Sequence, residues 1–219
     1  MPTSQIAKWT GEFGKEYTDR NALSTEELDR LYRARYGVTR TQLNLTFLGR
    51  MDRSIHILEV GSNIGNQLLM LQQMGFQRLY GIDVQAYAVE LSNSRTKGIN
   101  VIEGSAFDIP FKNACFDLVF TSGLLIHISP PDIFTVMGEI HRCSKNCIWG
   151  FEYYAEEYTE VPYRGHANLL WKADFAKLYL QAFDDLELVR EERLKYLDSD
   201  NTDYMFLLGR KGCTDSIRK

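Results

Sequence analysis

A hydrophobic run that breaks into glycines and restarts as a helix constrains this chain more than any other stretch. Residues Ile55 to Val60 are mostly aliphatic, Gly61 and Gly65 follow, and Asn66 opens the next apolar segment. A short aliphatic run closed by a glycine turn is typical of a buried parallel strand in a sheet covered on both faces. Gly61 lets the backbone turn sharply against a ligand, and Gly65 lets the following helix pack closely on the strand. The stretch therefore predicts a cofactor loop in an α/β fold.

Polar residues at the end of this strand narrow the choice of cofactor. Glu59 and Asn63 lie at the carboxyl end, where ligands bind in open α/β sheets. A glycine-rich turn after a strand serves NAD, FAD or S-adenosylmethionine (SAM), or is simply a tight turn. The spacing Glu-x-Gly-x-x-x-Gly differs from the dinucleotide fingerprint Gly-x-Gly-x-x-Gly, and no Gly-Lys-Ser/Thr follows. A nicotinamide-dependent enzyme and a P-loop enzyme are both disfavoured.

Length and charge limit the partners. The chain has 219 residues and a net charge of -4, with its lysines and arginines scattered. We expect one domain (1–219), comprising an N-terminal helical cap (1–51), a cofactor-binding core (52–151) and a lid with closing strands (152–210). No nucleic-acid partner is expected, because binding to a phosphate backbone normally requires a concentrated basic face. With no secretory segment at 1–10 and no long apolar run, we predict a cytoplasmic protein without a membrane partner.

The cysteines do not form a recognisable metal motif. Cys115, Cys143, Cys147 and Cys213 lie far apart or at a Cys-x-x-x-Cys spacing with no second pair. We expect core thiols in a reducing compartment and no metal site. A metal or redox role for the Cys143/Cys147 pair is the minor alternative.

Strands alternate with helices along the rest of the chain. We predict strands at about 55–60, 78–83, 100–103, 116–121, 146–151, 186–193 and 203–208. This rhythm indicates a mostly parallel sheet with right-handed crossovers and helices on both faces. Before the sheet, Ser24 and Glu27 form a capping box that opens a helix ended by Gly37, and a second helix covers about 40–51. The last residues, 211–219, are predicted to be a frayed tail.

Two further features indicate a nucleoside cofactor. Asp83 ends the second predicted strand, where an acidic side chain accepts hydrogen bonds from both ribose hydroxyls; an ordinary turn or capping residue is the alternative. Near the N-terminus, Trp9, Phe13 and Tyr17 recur every four residues, which places the rings on one face of a helix or of two short helical turns. Packing is the alternative for these rings, although the polar residues beside them favour a binding role.

Taken together, these motifs resemble the class I SAM-dependent methyltransferases over most of the chain. The resemblance rests on Glu59-Val-Gly-Ser-Asn-Ile-Gly65, Asp83, Gly104-Ser-Ala-Phe-Asp108-Ile-Pro-Phe and Asp117-Leu-Val-Phe-Thr-Ser-Gly-Leu-Leu-Ile-His127. It implies a Rossmann-like class I methyltransferase fold with a seven-stranded, mostly parallel sheet and an N-terminal helical cap. It also implies SAM as the cofactor and S-adenosylhomocysteine as its product.

A narrower resemblance is to the pseudaminic acid biosynthesis-associated methylases. It is carried by Trp9-Thr-Gly-Glu-Phe-Gly14 with Tyr17, Arg20 and Asn21, by Leu125-Ile-His-Ile-Ser-Pro130, and by Glu152-Tyr-Tyr154 followed by Val161-Pro-Tyr-Arg-Gly-His166. That group is defined by its setting in surface-sugar pathways more than by a proven substrate. The reaction class is therefore better supported than the acceptor.

The resemblance implies a set of cofactor-binding residues. Those expected on the methionine side of SAM are Glu59, Gly61, Ser62 and Asn63, and those expected at the ribose are Asp83 and Val84. Those expected at the adenine are Ser105, Ala106 and Phe107; many relatives carry an aspartate in place of Ser105, which weakens that one contact. Ser122 is expected beside the methyl group, and the N-terminal contributors are Trp9, Tyr17, Arg20 and Asn21.

Candidate catalytic residues follow the fourth and fifth strands. His127 lies about one helical turn after the fourth strand and titrates near neutral pH, so it is a candidate base for a hydroxyl or amine acceptor. A packing or helix-capping role is the alternative. Glu152, Tyr153 and Tyr154 follow the fifth strand and suit a polar or cationic acceptor, unless they are simply exposed lid residues.

The lid supplies three predicted substrate-binding residues, Tyr163, Arg164 and His166. Arg164 is a candidate for bidentate binding of a carboxylate or phosphate, with solvated charge as the alternative. The predicted function is SAM-dependent methylation of nitrogen or oxygen on a small polar metabolite, such as an amino sugar, an amine or a guanidine, by a monomer or homodimer. The alternatives are a nicotinamide-dependent oxidoreductase and a non-catalytic SAM-fold binding partner.

Overall fold

The computed structural model describes residues 4–212, so Cys213 and most of the predicted tail lie outside the described residues. Within this range the helices are α1 (Ser4–Thr10), α2 (Glu12–Arg20), α3 (Thr25–Tyr36), α4 (Arg40–Leu48), α5 (Asn66–Gln73), α6 (Ala86–Arg95), α7 (Ile133–Cys143) and α8 (Phe175–Ala182). The strands are β1 (His56–Val60), β2 (Arg78–Asp83), β3 (Ile99–Glu103), β4 (Phe116–Ser122), β5 (Ser144–Tyr153), β6 (Thr159–Glu160), β7 (Trp171–Lys172), β8 (Leu186–Lys195) and β9 (Thr202–Arg210). A short 3₁₀ helix covers Leu125–His127.

The N-terminal helices begin and end where local sequence signals place them. Ser24 accepts the backbone N–H of Glu27 and the Glu27 side chain returns the bond, which is the predicted capping box of α3. Gly37 ends α3 in a left-handed conformation with φ of 76°. Helix α4 stops at Leu48, earlier than predicted. The Arg53 guanidinium there donates to the carbonyl oxygens of Leu48 and Gly49, which satisfies the end of the helix.

Seven strands form one mostly parallel sheet, as predicted, in the order β3-β2-β1-β4-β5-β9-β8. The first five are parallel to their neighbours, whereas β9 runs antiparallel to β5 and to β8. The lid was predicted to begin at residue 152; in the structure β5 extends to Tyr153, and we define the lid as residues 154–172, which contain a second small sheet in which β6 pairs with β7. Its ends are therefore held by backbone hydrogen bonds.

Apolar side chains cover both faces of the sheet. One face packs against α7 and α8 through residues such as Val136 and Phe175, and the other packs against α3, α4 and α5 through residues such as Leu43 and Leu68. Cys143 and Cys147 are buried, but Cys115 is exposed, so the prediction of a core thiol is wrong for Cys115. Exposure follows from its place in the turn before β4, outside both packed faces.

The strand order leaves a crevice at one edge of the sheet. Strand β1 lies between β2 and β4, and the chain leaves β1 toward β2 on one side and returns to β4 on the other. Ligands of open α/β sheets bind at the carboxyl ends of strands beside such a reversal of strand order. The glycine loop after β1 and the 3₁₀ helix after β4 both lie at this edge. No helix in residues 4–212 is long and apolar enough to cross a bilayer.

Candidate active site

The glycine loop after β1 is held in left-handed conformations that suit glycine. Gly61 and Gly65 have φ of 73° and 75°, and Asn63 between them has φ of 46°. The N–H groups of Gly61 and Ser62 both donate to the carbonyl oxygen of Ile82 at 2.9 Å, which ties the loop to the end of β2. A Cβ on Gly65 would lie 2.7 Å from Oγ of Ser92. The absence of a side chain on Gly65 thus lets α6 approach closely. The prediction that Gly65 serves to pack the following helix on strand β1 is wrong.

Asp83 sits at the centre of this arrangement. Its Oδ2 accepts the backbone N–H of Asn63 at 2.7 Å, and its Oδ1 accepts that of Gln85 at 2.9 Å. Burial raises the pKa of the Asp83 carboxyl, and the backbone donors oppose that shift. An ionised carboxylate accepts about four hydrogen bonds, so each oxygen retains capacity for a ligand hydroxyl.

A cavity of about 230 Å³ opens beside Asp83, between the glycine loop, the end of β4 and the N-terminal helices. The predicted cofactor residues that line it are Trp9, Tyr17, Asn21, Glu59, Gly61, Ser62, Asn63, Asp83, Val84, Ser105, Ala106, Phe107 and Ser122. Arg20 is the exception among the predicted set. It lies on the outer side of α2, where it pairs with Glu16 at 3.5 Å. We therefore correct its predicted role in cofactor binding.

Unpartnered polar atoms concentrate at this cavity. Within residues 4–212, twelve buried side-chain nitrogen and oxygen atoms lack a hydrogen-bond partner, and seven of them belong to residues that line it. These seven are Nε2 and Oε1 of Gln5, Nε1 of Trp9, Oε2 of Glu59, Oγ of Ser62, Oδ1 of Asn63 and Oε1 of Gln67. A buried polar atom without a partner costs free energy, so such a concentration indicates a polar ligand. The ammonium, ribose hydroxyls and adenine amine of SAM supply matching groups.

Glu59 is suited to the cationic end of such a ligand. Its side chain is 3% exposed, and Oε2 has no partner. Burial raises the pKa of the Glu59 carboxyl well above its ordinary value, and the nearby Arg40 guanidinium opposes that shift. A cation placed against Oε2 would stabilise the ionised form, as expected for the ammonium of the methionine moiety.

The two predicted cofactor serines differ in how their hydroxyls are placed. A Cβ on Gly81 would lie 2.7 Å from Oγ of Ser62, so the Ser62 hydroxyl packs closely on β2. The hydroxyl of Ser105 accepts the N–H of Phe107 at 3.2 Å and shapes the loop after β3. The backbone N–H and carbonyl of Ser62 bond to Ile82 and Gly65, so its unpartnered hydroxyl is the polar group left for a ligand.

The N-terminal helices are fixed over the cavity by residues that follow Asp83. The Gln85 amide donates to the carbonyl oxygens of Trp9 at 3.0 Å and of Gly11 at 3.1 Å. The hydroxyl of Tyr87 donates to Asp19 at 2.8 Å. These bonds place the rings of α1 and α2 over the carboxyl edge of the sheet.

His127 faces the same cavity and has a defined tautomer. It is 7% exposed, and its Nδ1 lies 2.7 Å from the carbonyl oxygen of Leu169. Because a carbonyl only accepts, Nδ1 carries the proton and Nε2 carries a lone pair. Burial lowers the pKa of His127 to about 4, so the ring is neutral at physiological pH.

Aromatic rings surround His127. Its ring centroid lies 4.5 Å from that of Trp9, 5.6 Å from that of Tyr163 and 6.3 Å from that of Tyr17. Phe13 joins the same group, at 5.2 Å from Trp9. The group brings together side chains from α1, α2, the 3₁₀ helix and the lid, and it excludes water from the region around His127.

Glu152 lies beneath the loop that carries His127, outside the cavity lining. It is 1% exposed and accepts the N–H of Leu124 at 3.2 Å and of Ile126 at 3.4 Å. Burial raises the pKa of its carboxyl to about 7, against the opposing effect of the Thr121 hydroxyl and these N–H groups. Its geometry is that of a residue that positions the loop, so we correct the direct catalytic role predicted for it.

Tyr153 and Tyr154 also lie outside the cavity lining. Tyr153 is the register partner of Asp203 on β9. Tyr154 packs edge-to-face against Tyr204, and the Arg193 guanidinium lies 4.3 Å from its ring centroid, on the side of β8 and β9. Tyr154 therefore lies against β8 and β9, and we correct its predicted catalytic role, whereas the catalytic role of Tyr153 stays a prediction.

The three predicted lid residues form a tight hairpin. Tyr163 and His166 exchange backbone hydrogen bonds at 2.9 Å around Arg164 and Gly165, whose φ values are 51° and 77°. Positive φ at both central residues fits a two-residue hairpin turn. Tyr163 and His166 pack on Phe13 at 6.2 and 5.6 Å, whereas Arg164 is exposed at the tip. The structure thus brings Tyr163 and His166, but not Arg164, to the aromatic group.

Several residues that line the cofactor cavity were not predicted from the sequence. Gln5 precedes Trp9 by one helical turn on α1, and Gln67 follows the glycine loop on α5. Spacing of four residues from Trp9 is the signal that would have found Gln5. Gln67 and Leu124 give no local signal, because their approach depends on how α5 and the 3₁₀ helix pack.

Comparison with known proteins gives consistent results. A family described as a methyltransferase domain matches residues 57–146. The chain is 21% identical to phosphoethanolamine N-methyltransferase of Plasmodium falciparum over 184 residues, which are 74% of this chain and 69% of that protein. It is 32% identical to an uncharacterized methyltransferase of Staphylococcus carnosus over 108 residues, about half of each chain (48% and 51%).

Solved structures share the fold at low sequence identity. The Burkholderia thailandensis 1,6-didemethyltoxoflavin-N1-methyltransferase, with bound 1,6-didemethyltoxoflavin and S-adenosylhomocysteine, superposes with a TM-score of 0.71 and 14% identity, covering 96% of this chain and 90% of that one. The PH0226 protein of Pyrococcus horikoshii superposes with a TM-score of 0.62 and 13% identity, and the match covers 93% of this chain and 95% of that one. The methyltransferase domain matched at residues 57–146 and the fold shared with these structures support SAM-dependent methyltransferase activity.

Proposed function

We propose that the protein methylates a nitrogen or oxygen of a small polar metabolite, with His127 as the base. The observation that carries this proposal is the bond from Nδ1 of His127 to the carbonyl oxygen of Leu169, which leaves Nε2 as a proton acceptor. SAM supplies an electrophilic methyl group on a sulfonium. The remaining requirement is a nucleophile held in line with that methyl group and relieved of its proton.

His127 and the residues around it have separate roles in proton transfer, exclusion of water and positioning. His127 accepts the acceptor's proton at Nε2, and burial then favours loss of that proton from the ring. Trp9, Tyr17 and Tyr163 surround the imidazole and keep bulk water away. Glu152 holds the backbone of residues 124–126 and thereby the position of His127. The protein contributes orientation, desolvation and one proton-transfer site.

A nitrogen acceptor has the stronger support. Two of the similar proteins are, by name, N-methyltransferases of small molecules, one for phosphoethanolamine and one for a toxoflavin precursor. Aromatic faces also attract cationic amines. The sequence resemblance to the pseudaminic acid-associated methylases adds an amino sugar to the candidates, beside simple amines and guanidines. We still predict that the protein is a monomer or homodimer and that it binds a small-molecule acceptor and no nucleic acid.

A methyl-transfer screen tests this proposal. The protein would be incubated with SAM and a panel of amino sugars, amines, amino acids and guanidines, and products would be detected by mass spectrometry. We expect a product that carries an added methyl group with at least one nitrogen or oxygen acceptor. Binding of S-adenosylhomocysteine without methylation of any panel member would contradict the proposal.

A further inference from the structure

A second cavity, of about 490 Å³, lies under the lid. We call it the lid cleft; it is lined by Gln5, Ser129, Pro130, Pro131, Asp132, Glu160, Asn168 and Trp171. It is formed between α1, the loop that precedes α7, and the two arms of the lid. Its size falls within the roughly 300–1,000 Å³ of small-molecule sites.

The lid cleft adjoins the active site at His127. Gln5 lines both the cleft and the cofactor cavity. Ile128 lines the cofactor cavity, and Ser129, the next residue, lines the cleft. On the lid, Asn168 lines the cleft and the carbonyl of Leu169 holds His127. A molecule seated in the cleft therefore lies against the two segments that carry and hold His127.

Two carboxylates give the lid cleft a negative charge. Oδ2 of Asp132 accepts the Ser129 hydroxyl at 2.6 Å, and Oε1 of Glu160 accepts the N–H of Asn168 at 2.6 Å. Throughout residues 4–212, no lysine, arginine or histidine forms an ion pair with either carboxylate. Each is thus held in place by one internal hydrogen bond and keeps its second oxygen for a ligand.

Gln5, which lines both cavities, supplies a second observation that points to a ligand. Its side chain is 8% exposed, and neither Nε2 nor Oε1 has a partner within the described part of the chain. Leaving both ends of a buried amide unpaired is costly, and a hydroxyl or amine that enters from the cleft would satisfy them. Trp171, which is 4% exposed, gives the cleft an apolar wall against which a carbon skeleton can pack.

We propose that the lid cleft binds a protonated amine of the methyl acceptor, held by Asp132 and Glu160. The acceptor is then an amino compound that places its cationic group in the cleft and a separate nitrogen or oxygen nucleophile at His127. Amino sugars and polyamines share this chemistry. The inference rests on the methyl-transfer function proposed above and specifies the class of acceptor.

Matched probes test it. Protein saturated with S-adenosylhomocysteine would be titrated, with NMR detection, with glucosamine and with N-acetylglucosamine, then with 1,4-diaminobutane and with 1,4-butanediol. Each pair compares a cation with a neutral molecule of similar shape. We expect each amine to bind at least about tenfold more tightly than its neutral counterpart, as for loss of one charged hydrogen bond.

Variants test whether Asp132 and Glu160 cause the preference for amines. The double variant Asp132→Asn/Glu160→Gln keeps the internal hydrogen bonds and should abolish the preference for amines while binding S-adenosylhomocysteine normally. Glu157→Gln removes an exposed charge from the same lid and should keep the preference. Equal binding of amine and neutral probe, no amine binding, or an unchanged preference in the double variant would each overturn the inference. Failure to bind S-adenosylhomocysteine would instead contradict the proposed function itself.

Discussion

Asp83 accepts a hydrogen bond at Oδ2 from the backbone N–H of Asn63, with the two atoms 2.7 Å apart. Asn63 is one of the residues of the glycine loop with positive φ, so this bond links the carboxylate at the end of β2 to the loop after β1. One side chain thus both shapes the loop and faces the cavity. Preorganisation of this kind reduces the ordering cost of binding a cofactor.

The first prediction concerns that carboxylate. Asp83→Asn replaces one acceptor oxygen by a donor, so the backbone bond from Asn63 or from Gln85 is lost and fewer acceptor sites remain for the ribose. Bonds to charged groups are worth about 1.5–3 kcal/mol, so the Kd for S-adenosylhomocysteine should rise roughly 10- to 100-fold in calorimetry. Glu103→Gln removes the same charge from an exposed site on β3 and should bind normally. Equal affinity of Asp83→Asn and wild type would argue against the ribose assignment.

The second prediction concerns turnover. His127→Gln keeps a polar side chain but removes the proton acceptor, so kcat should fall by about 10²- to 10⁴-fold with the acceptor that the screen identifies. Binding of S-adenosylhomocysteine should stay close to wild type, which separates chemistry from cofactor affinity. His56→Gln, at the amino end of β1 and outside the lining of both cavities, is the matched control and should retain most of the turnover. Unchanged kcat in His127→Gln would exclude the base role.

The third prediction concerns stability at acid pH. His127 has a pKa of about 4 in the folded protein and 6.5 as the ordinary value, so the unfolded chain binds the proton more readily between these limits. The free energy of unfolding therefore falls as pH drops from about 6.5 toward 4. Relative to His127→Gln, wild type should lose about 2–3 kcal/mol between pH 7.5 and pH 4.5 in denaturant titrations. A constant difference across this range would contradict the burial of a neutral imidazole.

The fourth prediction concerns the sheet that carries the site. Gly150 on β5 faces its register partner Phe206 on β9, and a Cβ there would lie 2.2 Å from the ring. Gly150→Ala should destabilise the protein by about 3 kcal/mol or more, because the ring and two strands must shift. Gly138→Ala on α7 meets nothing within 4 Å and should stabilise by about 0.5–1 kcal/mol. Thermal unfolding of both variants would decide; similar melting temperatures would be inconsistent with the packing described.

Features set by short-range sequence were predictable. Helix α3 has the predicted bounds because Ser24, Glu27 and Gly37 lie within one helix and cap it directly. Asp83 ends β2, and the hydrophobic pattern of that strand alone marks its end. The spacing of Gly61 and Gly65 likewise predicts the loop after β1. The seven-stranded sheet followed from the alternation of strands and helices.

Features set by distant contacts were not predictable. Glu152 was expected to meet the acceptor, but its partners Leu124 and Ile126 lie 28 and 26 residues away and bury it beneath their loop. Tyr153 and Tyr154 were expected beside it, yet successive side chains on an extended chain point to opposite sides, so the three cannot share one site. Gln5 reaches the site only because Gln85 fixes the N-terminal helices over the sheet.

Calorimetric titration with S-adenosylhomocysteine and, separately, with NAD⁺ tests the central claim most directly. We expect the residues beside Asp83 to hold an adenosine linked to a methionine-like zwitterion. We therefore predict micromolar binding of S-adenosylhomocysteine and none of NAD⁺. Binding of NAD⁺ with no heat from S-adenosylhomocysteine or SAM would contradict the account.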